Sequence, residues 1–368
     1  MLAPKEIIAM HVNRSSVTIF LTLFAGALLA FSALLPVEAQ TDSPTPKPSP
    51  TVDPVGTPPP LVIESDGEIV IETELVNLNV RVVDRFNRSV ANLKQGDFQV
   101  YEDRVLQPIG FFSTEEVPTN YTLVIDNSGS LREQLEQVID AGKTIIGTNR
   151  PDDETSIIRF VSSDKIMLEQ DFTSEKQDLM DALDNLYIEG GQTAIIDAVY
   201  LAADRINEYE KVRNDAKRRA LILVTDGEDR DSVYNEKQLF ELLRETNVQI
   251  YVVGFVEELD SDGSIIRKSP QKKAKKFLTR LAEDTGGKVY FPKATNELQS
   301  IAVDIANELR TQYSIGYVPT NDRKDGTFRN IRVVVKEGPN KQRRIALTRT
   351  GRVAEPESTD KPVIRKSN

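Results

Sequence analysis

Five oxygen-bearing side chains from three separated stretches are the residues of this chain best suited to act together. Asp126, Ser128 and Ser130 close the stretch TLVIDNSGS, Thr193 sits in GGQTAIIDAV, and Asp226 lies in LVTDGED. Each alone is unremarkable, because acids and serines after an apolar run are ordinary helix-capping residues. Together they offer two carboxylates and three hydroxyls, the donor set of a hard cation. Mg2+ wants near-octahedral oxygen coordination, keeps several waters and takes only one or two protein carboxylates. Such a shell leaves net positive charge and an open position for an external carboxylate. The same ligand chemistry leaves Mn2+ and Ca2+ open as alternatives.

Two further acids stand close in sequence. Asp197 follows Thr193 by one helical turn, where it suits either a second layer around the cation or the positive end of a helix dipole. Glu228 follows Asp226 by two residues and is a candidate for shaping ligand charge selectivity; the bland reading makes it and Asp229 surface loop residues. The segment DGEDRDS lacks the third acid and the glycine of an EF-hand loop, and AGKTI (Ala141–Ile145) lacks the first glycine of a phosphate-binding loop.

Absences narrow the chemistry. There is no cysteine, and His11 is the single histidine, which removes disulfides, thiol nucleophiles, Cys/His zinc sites and His-assisted serine catalysis. No catalytic residue is expected. The carboxylate pair Asp126 and Asp226 as a metal-assisted hydrolase is the least favoured reading, because no base stands in the neighbouring motifs. A formal net charge of −11 disfavours nucleic-acid binding, which needs phosphates neutralised by Lys and Arg. The basic clusters KVRNDAKRR (Lys211–Arg219) and RKSPQKKAKK (Arg267–Lys276) read as solvated faces at helix ends.

The elements that must position the five residues follow from the hydrophobic pattern. YTLVID and RALILVTD are continuous apolar runs, as in parallel strands buried on both faces. Leu131, Leu135, Val138, Ile139, Gly142, Ile145 and Ile146 share one helical face, as do Leu298, Ile301, Ile305, Ala306 and Leu309. SIIRFV and DKIMLEQ form a hairpin at Ser162–Ser163, and VQIYVVGFV and KVYF supply further strands. This alternation predicts a doubly wound α/β domain with a mostly parallel sheet and helices on both faces, over 118–312. Its two carboxylates then sit at carboxyl ends of strands, where open α/β sheets bind ligands.

On either side the pattern has period two. Residues 61–117 and 313–352 read as β segments, each too small for a core of its own, and are expected to combine into one sandwich-like domain. QYSIGYVP, RNIRVVVKE and RRIALTRT are the three strands expected in the second, with 353–368 a frayed tail. At the other end, Lys5 and Arg14 precede the apolar run Val17–Pro36, and small residues at Val37 and Ala39 suit cleavage of an export signal spanning 1–39. The run is also near bilayer-spanning length, so retention as an uncleaved anchor is the alternative and the only membrane association expected. The proline-dense stretch 40–60 is a semi-rigid spacer.

The constellation Asp126, Ser128, Ser130, Thr193 and Asp226 resembles the metal-ion-dependent adhesion site (MIDAS) of the von Willebrand factor A (VWA) domain, Asp-x-Ser-x-Ser followed by Thr and then Asp. The resemblance covers roughly Asn120–Gln312 and implies strand order 3-2-1-4-5-6, with the strands ending in Asp126 and Asp226 side by side. VRVVDRFNRSVANLKQGDFQVYED before that region and QYSIGYVPTNDRKDGTFRNIRVVV after it look like exported bacterial proteins with a VWFA-related domain. Such proteins often carry an aromatic after the final Arg-x-Gly step, where RTGRV here has Arg352 and Val353. The resemblance implies a secreted or periplasmic, non-enzymatic protein that binds a protein partner or extracellular ligand through a Mg-bridged Asp or Glu carboxylate. The alternative is a scaffold subunit of a cell-envelope complex in which the metal is structural.

Overall fold

The computed structural model describes residues 75–213, 217–257, 259 and 269–354. The export segment, the spacer, residues 61–74 of the first β flank and residues 355–368 lie outside these. Alternating residues form β1 (Val76–Asp84), β2 (Phe98–Glu102), β3 (Val105–Gln107) and β4 (Ile109–Ser113). The α/β portion runs β5 (Thr119–Asp126), α1 (Leu135–Gly147), β6 (Glu154–Phe160), β7 (Ile166–Thr173), α2 (Lys176–Asp184) and α3 (Ile195–Arg213). It continues with β8 (Arg218–Thr225), α4 (Glu236–Glu245), β9 (Val248–Gly254), α5 (Pro270–Thr285), β10 (Val289–Tyr290) and α6 (Leu298–Arg310). Last come β11 (Tyr313–Tyr317), β12 (Phe328–Val335), β13 (Arg344–Leu347) and β14 (Gly351–Val353).

The central sheet has the order β10-β9-β8-β5-β6-β7, parallel except for β7, which returns antiparallel from the Ser162–Ser163 turn. Its strands are apolar throughout because both faces are covered. Tyr121, Leu123 and Ile125 of β5 pack towards α1, α2 and α6, while Val124 packs towards α3, α4 and α5. Each fully buried aliphatic side chain contributes roughly 1.5–3 kcal/mol to this arrangement. Local chemistry sets the helix ends: Asn235 and Gln238 form a reciprocal cap on α4. Ser269 caps α5 ahead of Pro270, and Gly286 ends that helix in the left-handed region (φ 78°). A Cβ at Gly286 would also lie 2.6 Å from the Thr348 backbone, so glycine is required there twice over.

The outer strands form two four-stranded sheets, β13-β1-β11-β4 and β14-β12-β2-β3. Each draws strands from before and after the α/β portion, and one apolar cluster lies between them, including Leu78, Val80, Phe98, Val100, Tyr313, Ile315 and Val333. β1 sits between β11 and β13, antiparallel to both.

Several details depart from the sequence reading. RRIALTRT holds the expected strand as β13, and a further strand, β14, follows it in the other sheet; the chain turns between them where Thr350 bonds to Ile331 and Asp284. Val353 is still paired with Phe328, and Ala354 is bonded to Thr327 and Gly326, so the paired region runs past the boundary expected at 352. Arg218 is not on a solvated face. It is buried in β8 and donates to the carbonyls of Leu309, in the last turn of α6, and of Gln312 just beyond it, satisfying acceptors that a helix end leaves open. Arg352, where an aromatic was the expected type, is buried against Glu102 (2.9 Å), which also accepts from the Tyr317 hydroxyl at 2.6 Å.

Candidate metal centre

Asp126 is the last residue of β5, and Asp226 directly follows β8, its parallel neighbour. The register pairs Ile125 with Val224, so Asp126 stands level with Thr225 and Asp226 leaves the adjacent strand one residue further on. Gly227 permits the immediate turn after Asp226 (φ 87°), and a Cβ there would lie 2.9 Å from Ala274 and from Leu278.

Ser128, Ser130, Thr193 and Asp226 line one depression of about 310 Å3, with Gly190, Gly191, Glu228 and Arg230 on its rim. Ser128 Oγ lies 2.9 Å from Ser130 Oγ, and Ser130 Oγ donates to Asp226 Oδ2 at 2.6 Å. Asp126 stands behind this row, fully buried. Its Oδ1 accepts the Ser128 N–H at 2.9 Å and its Oδ2 accepts the Thr225 hydroxyl at 2.8 Å. Burial, and then the charge of Asp226, push the Asp126 carboxyl up to about 6. Two carboxylates are thus held together, and Arg230, the basic side chain on the rim, is engaged by Glu228. The donors are all hard oxygen, and the charge lacks a counter-ion among the described residues. That fits a divalent cation held by two carboxylates and hydroxyls; among the described residues no group of three or more His, Cys, Asp or Glu side chains is placed to hold a metal ion by itself.

The loops reach this place through side chains that the sequence reading did not single out. Asn127 donates to the Tyr187 carbonyl at 2.7 Å, and its own carbonyl accepts the Glu189 N–H at 2.9 Å. Arg159 reaches Glu189 Oε2 and the Tyr187 hydroxyl, each at 2.9 Å, and stacks on the Tyr187 ring. These contacts hold the Tyr187–Gly191 segment leading to Thr193. The available signal was an arginine inside the otherwise apolar strand SIIRFV.

The two accessory acids behave differently. Asp197 receives the N–H groups of Val233 (2.9 Å) and Tyr234 (2.8 Å), so its carboxylate clamps the loop after Asp226. Glu228 lines the depression and pairs with Arg230. Asp229 is more than a surface acid: it accepts the Ile196 N–H at the start of α3 and the Ser232 hydroxyl. The Thr193 carbonyl accepts from Arg230 N–H and Asp231 N–H, which ties the Thr193 and Asp226 loops together.

The von Willebrand factor type A domain model matches residues 120–303, half of the chain. The chain belongs to this family. Its VWA domain has a relative in the inter-alpha-trypsin inhibitor heavy chain H2 of Sus scrofa, 26% identical over 207 residues, covering 53% of this chain and 20% of the relative. The region shared thus spans about a fifth of that curated protein. Among solved structures, a von Willebrand factor type A protein from Catenulispora acidiphila is 15% identical with a TM-score of 0.42, covering 69% of this chain and 74% of that one. Proximal thread matrix protein 1 from the mussel byssus, solved with a zinc-occupied MIDAS motif, is 19% identical with a TM-score of 0.41, covering 55% and 48%. Among the described residues of the VWA protein, no helix is long and apolar enough to cross a membrane.

Proposed function

We propose that this VWA protein is exported and binds a protein partner or extracellular ligand non-enzymatically, through a divalent cation at Asp126, Ser128, Ser130, Thr193 and Asp226. The observation that carries the reading is the Ser128–Ser130–Asp226 row, opening on one depression with Thr193 and backed by buried Asp126. When bound, Mg2+ supplies an electrophilic position at which a partner's Asp or Glu carboxylate can complete the oxygen shell. Ser128 and Ser130 offer neutral oxygens, which keep net positive charge for an incoming anion. Asp126 and Asp226 supply the negative charge that retains the cation. The rim arginine, Arg230, is already paired with Glu228, and among the described residues no histidine lines the depression; the raised carboxyl of Asp126 is buried behind the row and outside its lining. The basic and apolar N-terminal run supports export, to a secreted or periplasmic location.

The test is a pull-down from native surroundings with Mg2+, with chelator, and with Asp126→Ala, alongside a melting curve for each sample. The reading expects capture with Mg2+ and loss in the other two while the fold persists. Capture that survives both, with chelation lowering only the melting temperature, would replace it with a scaffold whose metal is structural.

A further inference from the structure

A cleft of about 650 Å3 lies away from the cation site, between the end of α5 and the strands β12 and β13. Arg332, Arg343 and Arg344 line it, and among the described residues none of the three has a carboxylate within ion-pair distance. They form a local cluster of positive charge in a chain with 57 acidic and 46 basic residues. Other surface arginines are paired, as in Arg150–Glu116 and Arg205–Asp171, or stand singly, whereas these three line one cleft. Among the described residues that line the cleft Glu283 is the one acid, and the other two cations there, Arg81 and Lys288, are already paired with Glu308.

The cleft also presents unpaired backbone. β14 pairs with β12 only over Phe328–Asn330, so among the described residues the edge of β12 beyond that point has no strand beside it. The Ile331 N–H points to that side, donating to the Thr350 carbonyl. Antiparallel ladders alternate, so the N–H and C=O groups of Val333 and Val335 face the same way, while Arg332 and Val334 serve β2. β13 is likewise the outer strand of its sheet. An open edge of this kind is a template for a further strand.

We propose that this cleft binds an extended acidic peptide of a partner protein, added as a strand along β12, with its carboxylates on Arg332, Arg343 and Arg344. Backbone pairing supplies sequence-independent affinity, and the arginines select for acid through charge-assisted, bidentate bonds. The open edge favours a polypeptide over other polyanions, which have no complementary row of donors and acceptors.

The experiment is fluorescence anisotropy of a labelled decapeptide of alternating Glu and Val, titrated with the purified protein in chelator, so that the outcome is independent of the cation site. Binding should saturate, weaken as salt is raised, and fall at least tenfold for Arg332→Glu/Arg343→Glu, two exposed changes expected to leave the melting temperature unaltered. A Lys/Val peptide should not bind. If the double variant binds the Glu/Val peptide as well as the parent does, the proposal fails. It fails equally if a short polyphosphate displaces the peptide with the same or better affinity, since charge alone would then account for binding. Should the double variant prove unfolded, Arg332→Gln and Arg343→Gln tested singly decide the point, each expected to lose affinity in part.

Discussion

Ser130 and Asp226, 96 residues apart in the chain, meet at 2.6 Å, the serine hydroxyl donating to Oδ2 of the carboxylate. The contact joins the turn after β5 to the turn after β8 and orients both side chains before any cation arrives. Asp226→Ala removes a charge and an oxygen donor and should lower Mg2+ affinity at least tenfold, about 1.4 kcal/mol. Calorimetric titration, with far-UV circular dichroism to show an intact fold, checks this. An unchanged titration would place the cation elsewhere.

The metal-free site should also leave a signature in the pH dependence of stability. Asp126 is pushed up to about 6 from an ordinary 3.8, so the folded protein holds a proton there that the unfolded chain releases. Its contribution is therefore complete below the unfolded value and lost as pH rises through about 6, an upper bound of roughly 3 kcal/mol. In chelator, the melting temperature should fall more steeply across that window for the parent than for Asp126→Asn. Saturating Mg2+ should flatten the difference. Identical profiles for parent and variant would contradict the account.

Arg81 of β1 donates to Glu308 of α6 and to the Gly287 carbonyl, all in buried surroundings. Arg81→Ala leaves the Glu308 carboxylate with Lys288 as its remaining cation, at 3.3 Å. Breaking a buried pair from one side costs about 3 kcal/mol or more, and the remaining lysine places this case at the low end. Urea denaturation of the variant should show that loss with little change in Mg2+ affinity.

Asp197→Asn tests a different assignment. Its carboxylate takes two backbone N–H groups of the loop after Asp226, bonds worth about 1.5–3 kcal/mol each to a charged acceptor, part of which an amide oxygen retains. Stability should fall measurably while Mg2+ affinity stays within about threefold, an energy difference below about 0.7 kcal/mol. A tenfold loss of affinity without destabilisation would instead give Asp197 a direct part in cation binding.

β1 makes its strand pairs with β11 and β13, both contributed from beyond residue 312. A fragment covering 61–117 lacks those partners and should be unstructured by circular dichroism. A fragment covering 120–312 retains both apolar clusters of the central sheet and should melt cooperatively. Independent folding of the shorter piece would refute the combined β unit.

Most of the candidate site residues could be picked out because their chemistry is carried by type and local position. A continuous apolar run ending in an acid predicts a buried strand with a carboxylate at its exit, and Asp126 and Asp226 are where that logic puts them. The α/β alternation was legible for the same reason, since parallel strands covered on both faces need unbroken apolar sequence. Arg218 was misread because a cationic stretch after a helix looks solvated, and only the approach of the α6 carbonyls makes burial affordable. The short strand β14 after RRIALTRT was hidden too, because which sheet a strand joins depends on partners distant in sequence.

By itself, then, the sequence determined the donor types, the strands that end in them, and the exclusion of thiol and His-assisted serine chemistry. Tertiary structure decided which donors meet: the parallel register of β5 and β8 brings Ser130 to Asp226, and the Asn127 and Arg159 contacts hold the segment leading to Thr193. It alone revealed that Asp197 serves a loop and that, among the described residues, three arginines beside the edge of β12 have no carboxylate within ion-pair distance. The physical reason is the same in each case. Hydrophobic periodicity is a local property of the chain, whereas hydrogen bonds and ion pairs between distant segments exist only once packing has brought both partners out of water.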